Sequence, residues 1–571
     1  MKGLQLTGTA AAVSALLLTA CGGSDSTQTV TTTPLLPQLT AATGANLATC
    51  ASLVGRLTYP DTTVTAVNDI AAGAQTVAGK AVPRHCQVIG QMFQRVSPVD
   101  GQRYAIGFEM RLPLNWNGRF FYQANGGTDG VVLAATGPVG GGGPLDHALN
   151  QGFAVISSDA GHSDAQNPTF GIDPQARLDY GYQAVGKLTP MAKSFIKSTY
   201  GKEPDRSYIG GCSNGGRHTL VAAARYAELY DGFLVGDPGI RLPLASIANL
   251  AGAKLYNKLA TTPGDLSTGF TLAERALVSN AVLAKCDSLD GVKDGLVQDV
   301  AACQAAFNFE RDVPVCSGAR DGTCLSPAQK TAIGSLFTGA TTESGNLVYT
   351  SFPYDAGLAT AGWASWKFNM PTQRNAGAIG LIWQSPPENA TGFDAQNFLV
   401  NGNIESMVAK VNATSGLYTE SGMSFMTPPN RTDLSAVKKR GGKLLAYHGT
   451  SDPIFSSNDT AAWYESVRAA NGGDASNFAR YFPVPGMNHC SGGPATEQFD
   501  MLTPLVNWVE KGLAPDVVQA SVRGPGNSGG VSADVPSSWA ANRTRPLCAY
   551  PKVAKYKGSG SIEDAANFSC S

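Results

Sequence analysis

Residues 207–217 read Ser-Tyr-Ile-Gly-Gly-Cys-Ser-Asn-Gly-Gly-Arg. Within them, Gly211-Cys-Ser213-Asn-Gly215 fits the pattern G-x-S-x-G, in which a serine sits on a tight turn between a strand and a helix with its hydroxyl exposed. Side chains two residues to either side would clash on such a turn, so glycine is needed at both places. An apolar run precedes the motif and a helical stretch, Gly215–Ala227, follows it. The stretch therefore predicts Ser213 as a nucleophile.

The alternation of apolar runs and helical stretches continues on both sides of residues 207–217. Short apolar runs bounded by turn residues predict buried strands, and helical stretches lie between them. Strands that alternate with helices form a parallel sheet, so the sequence predicts an α/β fold of the α/β-hydrolase type. The predicted strands are Arg119–Gln123, Phe153–Ser158, Ser207–Gly211, Gly232–Gly236, Lys443–Tyr447 and Arg480–Val484, and the other predicted helices lie near Met191–Thr199, Asp459–Ala470 and Phe499–Glu510.

The middle of the chain has a different composition. Residues 240–438 are rich in Gly, Ser, Thr, Asn and Ala and show no alternation of strands and helices. We interpret this region as a large inserted lid domain over the carboxyl edge of the sheet, with residues 46–239 and 439–571 as the two parts of the hydrolase domain. A chain of 571 residues is long enough for such an arrangement.

The N-terminus has the features of a secretory signal. Lys2 is followed by an apolar run at residues 10–20 that is too short to span a bilayer. Residues 18–22, Leu-Thr-Ala-Cys-Gly, resemble a bacterial lipobox, so residues 1–21 are predicted to be a lipoprotein signal peptide with Cys21 as the lipidated residue. An ordinary signal peptide with an incidental Cys21 is the alternative. Residues 22–45 are predicted to be a flexible linker.

Composition and charge limit the partners of the chain. Charged residues make up 15% and apolar residues 43%, which is a globular composition. The formal net charge of −1 gives no attraction to nucleic acid or to an anionic membrane surface. We expect a monomer that is either secreted or anchored to a bacterial outer membrane, with membrane contact only through a lipid at Cys21.

A serine nucleophile needs a general base and an acid that orients it. In α/β-hydrolases the acid and then the histidine follow the serine along the chain. Outside the helix after Ser213, only His448 and His489 qualify as the base. Asp452 precedes His489 and follows a predicted strand, which favours Asp452 and His489 as partners and His448 as a structural residue. The reverse assignment would place the acid inside the irregular insertion.

Stabilisation of the oxyanion requires two N–H donors. The backbone N–H of Asn214, directly after the nucleophile, is one predicted donor. The glycine-rich loop at residues 122–130 follows a predicted strand and supplies the second, for which we choose Gly127 before Gly126. The alternative is a glycine turn without a catalytic role.

The chain has eleven cysteines, and ten remain when Cys21 is set aside. An even number in an exported chain predicts disulfides. Cys212 and Cys490 adjoin the predicted nucleophile and base, which must approach to about 3 Å, so a bond between them would hold the two loops together. Two unrelated structural cysteines are the alternative. By sequence order alone the simplest other pairs are Cys286–Cys303, Cys316–Cys324 and Cys548–Cys570.

A cluster of aspartates predicts a metal loop. Residues 286–296, Cys-Asp-Ser-Leu-Asp-Gly-Val-Lys-Asp-Gly-Leu, place three carboxylates within eight residues. Oxygen ligands suit Ca²⁺, although the spacing differs from an EF-hand. By spacing alone a solvated acidic turn is an equal alternative. The candidate ligands are the carboxylates of Asp287, Asp290 and Asp294 and the backbone carbonyls of Val292 and Leu296.

These motifs together resemble the tannase/feruloyl esterase family. The shared features are Gly-Cys-Ser-x-Gly-Gly-Arg at residues 211–217, Asn-His-Cys at 488–490 and Cys-Asp-x-x-Asp-Gly-x-x-Asp-Gly at 286–295. The resemblance covers essentially the whole mature chain. It implies a lid inserted between the two halves of the hydrolase domain, a structural Ca²⁺ in that lid, and five disulfides, with Cys50–Cys86 added to the four pairs above.

Segments 116–121, 362–366 and 484–494 most resemble a bacterial branch of the family that acts on mono(2-hydroxyethyl) terephthalate-type monoesters. The resemblance implies substrate contacts at Trp366 and Phe455 and places Arg374 where a lid arginine binds the substrate carboxylate. Three residues depart from that branch, and the lid segment here is shorter, so Arg374 as a surface residue is the alternative. The departures are Asn214, Ala378 and Ile379.

The leading hypothesis is a secreted serine carboxylesterase that hydrolyses small aromatic-acid esters through an acyl-enzyme, most of all terephthalate monoesters. A feruloyl esterase or tannase that acts on plant phenolic esters is the alternative within the class. A catalytically inactive, lipid-anchored binding protein is the alternative from another class. An intact set of Ser213, Asp452 and His489 argues against the inactive protein.

Overall fold

Nine strands form one sheet in the computed structural model, which describes residues 36–143 and 145–571. The sheet order is β9-β8-β7-β6-β4-β5-β3-β2-β1, in which β4 to β9 are parallel and β1 to β3 add an antiparallel edge. The strands are β1 (Thr62–Ile70), β2 (His85–Val96), β3 (Arg103–Pro113), β4 (Arg119–Gln123), β5 (Ala154–Ser158), β6 (Arg206–Cys212), β7 (Gly232–Gly236), β8 (Lys443–Gly449) and β9 (Ala479–Val484).

Successive residues of the parallel strands face opposite sides of the sheet, and each side has its own apolar core. Phe120 and Tyr122 of β4 belong to one core, whereas Phe121 belongs to the other. Helices cover both sides, so the architecture is α/β, as predicted, and the six predicted parallel strands and their helices are found within a few residues. The helices of this part are Pro174–Leu178, Ala184–Tyr200, Asn214–Arg225, Ser457–Ala470 and Leu502–Lys511.

Between β7, which ends at Gly236, and β8, which begins at Lys443, the chain leaves the sheet. This segment is helical, and its apolar residues form a third core that also includes Tyr180 and Phe455. Its α-helices are Leu242–Leu259, Leu272–Cys286, Val300–Ala306, Phe309–Asp312, Pro327–Thr338, Ala361–Ala364, Ala395–Asn401, Ile404–Asn412, Gly422–Met426 and Ser435–Lys439, and its π-helical turns are Ser365–Asn369, Pro371–Asn375 and Ala378–Trp383.

Four small antiparallel pairs complete the strands of the described residues. None of the described helices has the length and apolar character of a membrane span. The pairs are Ala45–Asn46 with Asn115–Trp116, Thr76–Val77 with Lys80–Ala81, Val517–Ser521 with Thr544–Cys548, and Ala554–Tyr556 with Phe568–Cys570.

The folded body begins before residue 46, where composition placed its start. The backbone N–H of Ala42 donates to Glu510 at 2.9 Å, and that of Thr43 donates to Asp205 at 2.8 Å. Polar backbone groups that find such partners hold a segment in place despite its low apolar content. The predicted signal peptide at 1–21, Cys21 and residues 22–35 of the predicted linker lie outside the described residues.

Candidate active site

Ser213 lies on a sharp turn directly after β6. Its φ of +67° and ψ of −126° are unusual for a residue with a side chain. A Cβ atom on Gly211 or Gly215 would lie 2.1 Å or 2.3 Å from the carbonyl oxygen of Ala124. Only glycine therefore fits at either place, and this is the strand–elbow–helix predicted from the motif.

The structure brings Ser213, His489 and Asp452 into one chain of hydrogen bonds. Nε2 of His489 lies 2.8 Å from Oγ of Ser213, and Nδ1 of His489 lies 2.7 Å from Oδ2 of Asp452. Parallel neighbouring strands end at the same edge of a sheet, and these residues follow β6, β9 and β8 respectively. The topology therefore explains why residues far apart in sequence meet.

Asp452 is held in its ionised form. Its Oδ1 accepts hydrogen bonds from the backbone N–H groups of Ile454 at 2.8 Å and Phe455 at 3.0 Å. Burial alone would raise the pKa of Asp452, but the charges and hydrogen bonds of His489 and His448 outweigh burial and hold this pKa below its ordinary value. An ionised Asp452 can fix the ring of His489 and stabilise its protonated form.

His448 lies behind Asp452 as a buried structural residue. Its Nε2 lies 3.2 Å from Oδ2 of Asp452 and 2.9 Å from the carbonyl oxygen of Phe455, and its Nδ1 lies 2.7 Å from Oγ1 of Thr460. Both ring nitrogens therefore have partners other than Ser213. This geometry favours His489 over His448 as the base.

A disulfide joins the nucleophile loop to the base loop. The Cα atoms of Cys212 and Cys490 are 6.0 Å apart, as expected for a bonded pair. All five predicted pairs are present, and such a set is typical of an exported protein. The other bonds are Cys50–Cys86, Cys286–Cys303, Cys316–Cys324 and Cys548–Cys570.

Asp237 is a residue of the site that the sequence argument missed. It follows β7, between the strands that carry Ser213 and Asp452, and is fully buried. Its carboxylate accepts hydrogen bonds from the backbone N–H groups of Gly449 at 2.9 Å and Cys490 at 2.5 Å. Burial raises the pKa of Asp237 to about 6. The rule that found Asp452, a carboxylate just after a parallel strand, would also have found Asp237.

The glycine-rich loop after β4 lies against the nucleophile. A Cβ atom on Gly126 would lie 3.6 Å from the Cβ of Ser213, and one on Gly127 would lie 3.5 Å from the guanidinium of Arg374. Gly127 has a φ of +68°, so glycine is favoured there. The loop is thus adjacent to Ser213 and to Asn214, the first residue of the following helix.

A small cavity of about 30 Å³ opens beside Ser213. Trp366 and Phe455 line it and stand edge-on to the ring of His489, with centroid distances of 4.9 Å and 5.2 Å. Trp383 also lines it, and its buried Nε1–H has no hydrogen-bond partner among the described residues. The lining residues that no sequence motif indicated are Thr128, Tyr180, Leu242, Ser246, Asn375, Trp383 and Ile454.

Arg374 lies at the same cavity on the insertion side. It is exposed, and its guanidinium carbon lies 5.9 Å from the ring centroid of Trp366. Among the described residues it has no carboxylate in ion-pair range. The predicted neighbours Ala378 and Ile379 are buried in the core of the insertion. Arg374 is therefore a cation at the mouth of the cavity with no carboxylate beside it among the described residues.

In the predicted metal loop, the three aspartate carboxylates have different partners. Asp287 accepts the backbone N–H of Asp294 at 2.8 Å, and Asp294 pairs with buried Arg545. Oδ2 of Asp290 is buried without a hydrogen-bond partner among the described residues. Burial and then the charge of Asp294 raise the pKa of Asp290 to about 7. An uncompensated oxygen in a loop of hard ligands fits a cation such as Ca²⁺.

The three loop carboxylates do not converge as closely as other acidic groups. In the part of the chain that the structure describes, two groups of candidate metal ligands lie within 4.8 Å of one another: Cys212 with Asp237 and Cys490, and Asp237 with His448 and Asp452. Both belong to the hydrogen-bonded site around Ser213, and the first contains a disulfide. The aspartates of the loop would therefore have to draw together around an ion.

Comparisons with known proteins agree with this geometry. A family model described as "Tannase and feruloyl esterase" matches residues 86–571. The mono(2-hydroxyethyl) terephthalate hydrolase of Piscinibacter sakaiensis is 41% identical over 539 residues, which is 87% of each chain. A probable feruloyl esterase B-2 of Aspergillus fumigatus is 26% identical and covers 94% of this chain and 99% of its own. The crystal structure of feruloyl esterase B from Aspergillus oryzae superposes with a TM-score of 0.72 at 23% identity, over 91% of this chain and 99% of that one, and shows the same fold.

Proposed function

This chain belongs to the tannase and feruloyl esterase family, and on that premise we propose that it is an exported serine carboxylesterase for esters of small aromatic acids. The observation that carries the proposal is the hydrogen-bonded chain from Ser213 through His489 to Asp452. Ser213, at one end of this hydrogen-bonded chain, lines a cavity whose walls include the aromatic rings of Trp366 and Phe455. Aromatic walls favour an aromatic acyl group.

Acylation follows from the geometry of these groups. Oγ of Ser213 attacks the ester carbonyl while Nε2 of His489 takes its proton, and the imidazolium is stabilised by Asp452. The carbonyl oxygen gains negative charge, for which the backbone N–H groups of Asn214 and Gly127 are the proposed donors. His489 then protonates the departing alcohol.

Deacylation repeats these steps with water in place of serine. His489 removes a proton from water, the hydroxide attacks the acyl carbonyl, and Ser213 leaves with the proton returned by His489. The products are the free aromatic acid and the restored hydroxyl.

The insertion forms part of the wall of the cavity beside Ser213. Trp366 and Arg374 line the cavity from the insertion, on π-helical turns that lie between β7 and β8. We therefore propose that residues 240–438 act as a lid, whose displacement admits the substrate.

A terephthalate monoester is the proposed substrate class because Arg374 lies at the mouth of the cavity with no carboxylate in ion-pair range in the described part of the chain. A terephthalate monoester carries a free carboxylate opposite its ester group, whereas neutral phenolic esters do not. The feruloyl or gallate ester remains the second candidate, in view of the feruloyl esterase relatives. Values of kcat/KM for mono(2-hydroxyethyl) terephthalate, methyl ferulate and methyl gallate decide between them. A preference for either methyl ester would reject the terephthalate proposal.

Replacing Arg374 with alanine should raise KM for the terephthalate monoester far more than for a neutral benzoate ester. The guanidinium offers a planar pair of donors to a carboxylate, and hydrogen bonds to charged groups contribute roughly 1.5–3 kcal/mol. We expect a rise in KM of about 10- to 100-fold for the charged substrate, measured by steady-state kinetics.

The neighbouring exposed residue Gln373 provides the matched control, because it does not line the cavity. Gln373→Ala should leave both KM values unchanged. Equal effects of Arg374→Ala on charged and neutral substrates would show that Arg374 does not bind the carboxylate.

The loop at 286–296 is proposed to bind Ca²⁺ as a structural ion. Asp287, Asp290 and Asp294 with the carbonyls of Val292 and Leu296 supply hard oxygens, and the partnerless oxygen of Asp290 is the observation in favour. The loop lies between the helix Leu272–Cys286 and the C-terminal segment that contributes Arg545. A bound cation would thus hold the insertion to the C-terminal part of the chain.

Removal of Ca²⁺ by a chelator should lower the melting temperature. A ligand bound only to the folded state stabilises it by about 2.7 kcal/mol at 100 times its dissociation constant. Differential scanning calorimetry with and without chelator measures the shift, which Asp290→Asn should abolish and Asp321→Asn, at an exposed site outside the loop, should not. Loss of kcat at an unchanged melting temperature would contradict a structural role.

The lipid anchor at Cys21 and the monomeric state complete the proposal. The anchor is supported by the lipobox at residues 18–22 and by the five disulfides, which fit an exported chain. Metabolic labelling with a fatty acid tests it, and Cys21→Ser should abolish the label. Sedimentation of the soluble chain from residue 36 tests the monomer.

A further inference from the structure

A second cavity, of about 390 Å³, lies within the insertion and shares none of its lining residues with the cavity beside Ser213. It lies between the helices Leu242–Leu259 and Pro327–Thr338 and the segment 338–352. Its volume falls within the range of small-molecule sites, roughly 300–1,000 Å³. None of the steps proposed for the ester reaction uses it.

Lys367 lines this cavity and is the most deeply buried of its charged groups. The residue is only 2% exposed. Its ammonium has one hydrogen bond, to Oδ1 of Asn249 at 3.2 Å, and lies 4.5 Å from the ring centroid of Phe352. In the described part of the chain no carboxylate lies within ion-pair distance of it. A lysine has three donors, and a buried charge without a counterion is costly.

The remaining charges of the cavity are mostly positive. Lys254 and Lys258 also line it, and the ion pairs of the described residues include neither of them. The only acidic lining residue is Glu343, and its carboxylate already accepts the backbone N–H groups of Ile404 at 2.9 Å and Glu405 at 3.0 Å. The cavity therefore has an excess of positive charge around an open volume.

The walls of the cavity are partly apolar and partly polar. Apolar side chains include those of Ala248, Ala251, Leu255, Leu336, Phe352 and Ile404, and hydroxyl groups come from Ser335, Thr338, Thr341, Thr342 and Thr350. An anion with a hydrocarbon or aromatic body would bury apolar surface against the apolar part of these walls, which inorganic phosphate would not. The positive charge of the lining lysines and the apolar part of the walls together favour an anion with an apolar body as the ligand.

We propose that this cavity binds a small carboxylate with an apolar body, of the size of benzoate, whose carboxylate pairs with Lys367. The ligand would supply the missing counterion of Lys367, and its body would contact Phe352 and the neighbouring aliphatic side chains. A charge-assisted hydrogen bond of this kind is among the stronger ones.

The site has a link to the catalytic residues. Lys367 also lines a small space that it shares with Ser451 and Asp452, and it directly follows Trp366, which contacts His489. A bound anion that keeps Lys367 charged would therefore change the field at Asp452. The acids released by the proposed reaction belong to the same ligand class, and only this last connection rests on the proposed function.

Binding should depend on pH in a defined direction. Burial lowers the pKa of Lys367 to about 7, against the opposing effect of the Asp452 charge. The charged form that binds an anion is therefore populated below pH 7 and lost as pH rises above it. The other titratable groups that face Lys367 are Asp452 and Asp355 in the small space and Lys254, Lys258 and Glu343 in the cavity.

Fluorine NMR titration with 4-fluorobenzoate tests the proposal without turnover. The wild-type chain should bind it at least about tenfold more tightly at pH 6 than at pH 8.5, since the charged fraction of an amine with a pKa near 7 falls by more than that. Lys367→Met, which removes a buried charge but keeps an apolar stem, should weaken this binding by at least about tenfold. Lys258→Met replaces an exposed residue at the rim of the cavity and changes no buried side chain. It should weaken the binding of 4-fluorobenzoate less than Lys367→Met does.

Two controls separate this site from the others. Lys410→Met removes a lysine of the insertion that pairs with Glu388 outside the cavity, and it should bind as the wild type does. Arg374→Ala should abolish only binding at the cavity beside Ser213.

Inorganic phosphate should fail to compete, and competition by phosphate would overturn the assignment to a carboxylate with an apolar body. Binding that is absent from the wild type, or unchanged in both Lys367→Met and Lys258→Met, would overturn the site.

Discussion

Replacing Ser213 with alanine should reduce kcat/KM for aromatic esters by about five orders of magnitude and leave the melting temperature nearly unchanged. The members of a triad act as a unit, so loss of the nucleophile removes almost all of the contribution of His489 and Asp452 as well. Alanine occupies less space than serine at the elbow and keeps the same backbone. Steady-state kinetics on the purified variant and calorimetry measure the two quantities.

Ser246 provides the matched control for this experiment, because it lines the same cavity but lies outside the hydrogen-bonded chain. Ser246→Ala should retain turnover within about tenfold. A serine-reactive phosphonate should add its mass to the wild type and not to Ser213→Ala. If the wild type neither turns over aromatic esters nor reacts with the phosphonate, the chain is an inactive binding protein and the esterase proposal is wrong.

Removing the disulfide between Cys212 and Cys490 should lower stability and activity together. The bond spans 278 residues, and in the chain-entropy model a loop of that length corresponds to roughly 5–6 kcal/mol of unfolding free energy. It also sets the approach of the two loops, because Ser213 follows Cys212 and His489 precedes Cys490. We expect the double variant Cys212→Ala/Cys490→Ala to lose about 10- to 100-fold in kcat, since small displacements of catalytic groups have effects of this size.

The matched control removes the disulfide Cys548–Cys570, which spans 22 residues far from Ser213 in sequence. The variant Cys548→Ala/Cys570→Ala should lose stability, and its kcat should not change. Denaturant unfolding and kinetics at a temperature where both double variants are folded make the comparison. Equal kcat in the wild type and the Cys212/Cys490 variant would show that the bond does not position the loops.

The sequence indicates the catalytic residues because each signal for them is local or follows from the topology of a parallel sheet. Gly211 and Gly215 determine the elbow by steric exclusion, which involves only a few residues of chain and the neighbouring carbonyl of Ala124. A parallel sheet then places the ends of neighbouring strands at one edge, so Asp452 and His489 were found from their positions after predicted strands. Asp237 satisfies the same rule, since it directly follows β7, but the order of serine, acid and histidine along the chain singles out Asp452 alone.

The antiparallel edge and the start of the body were harder to predict. In β2, half-buried residues alternate with buried ones and give only a weak apolar run. Residues 36–45 have the composition of a linker, yet backbone groups there find acceptors on Glu510 and Asp205. Hydrogen bonds of this kind depend on which distant carboxylates are nearby, and composition contains no such information.

The sequence by itself determined the α/β class and the elbow at Ser213, because each depends on short-range periodicity or spacing, whereas the bounds of the lid at 240–438 and the metal loop stay proposals. Only the tertiary structure showed that both ring nitrogens of His448 have partners other than Ser213, that the loop carboxylates stand apart, and that Lys367 is buried beside an open cavity with no counterion among the described residues. These outcomes depend on distances between segments far apart in the chain. Such distances are set by the packing of whole elements, and no local pattern of residues records them.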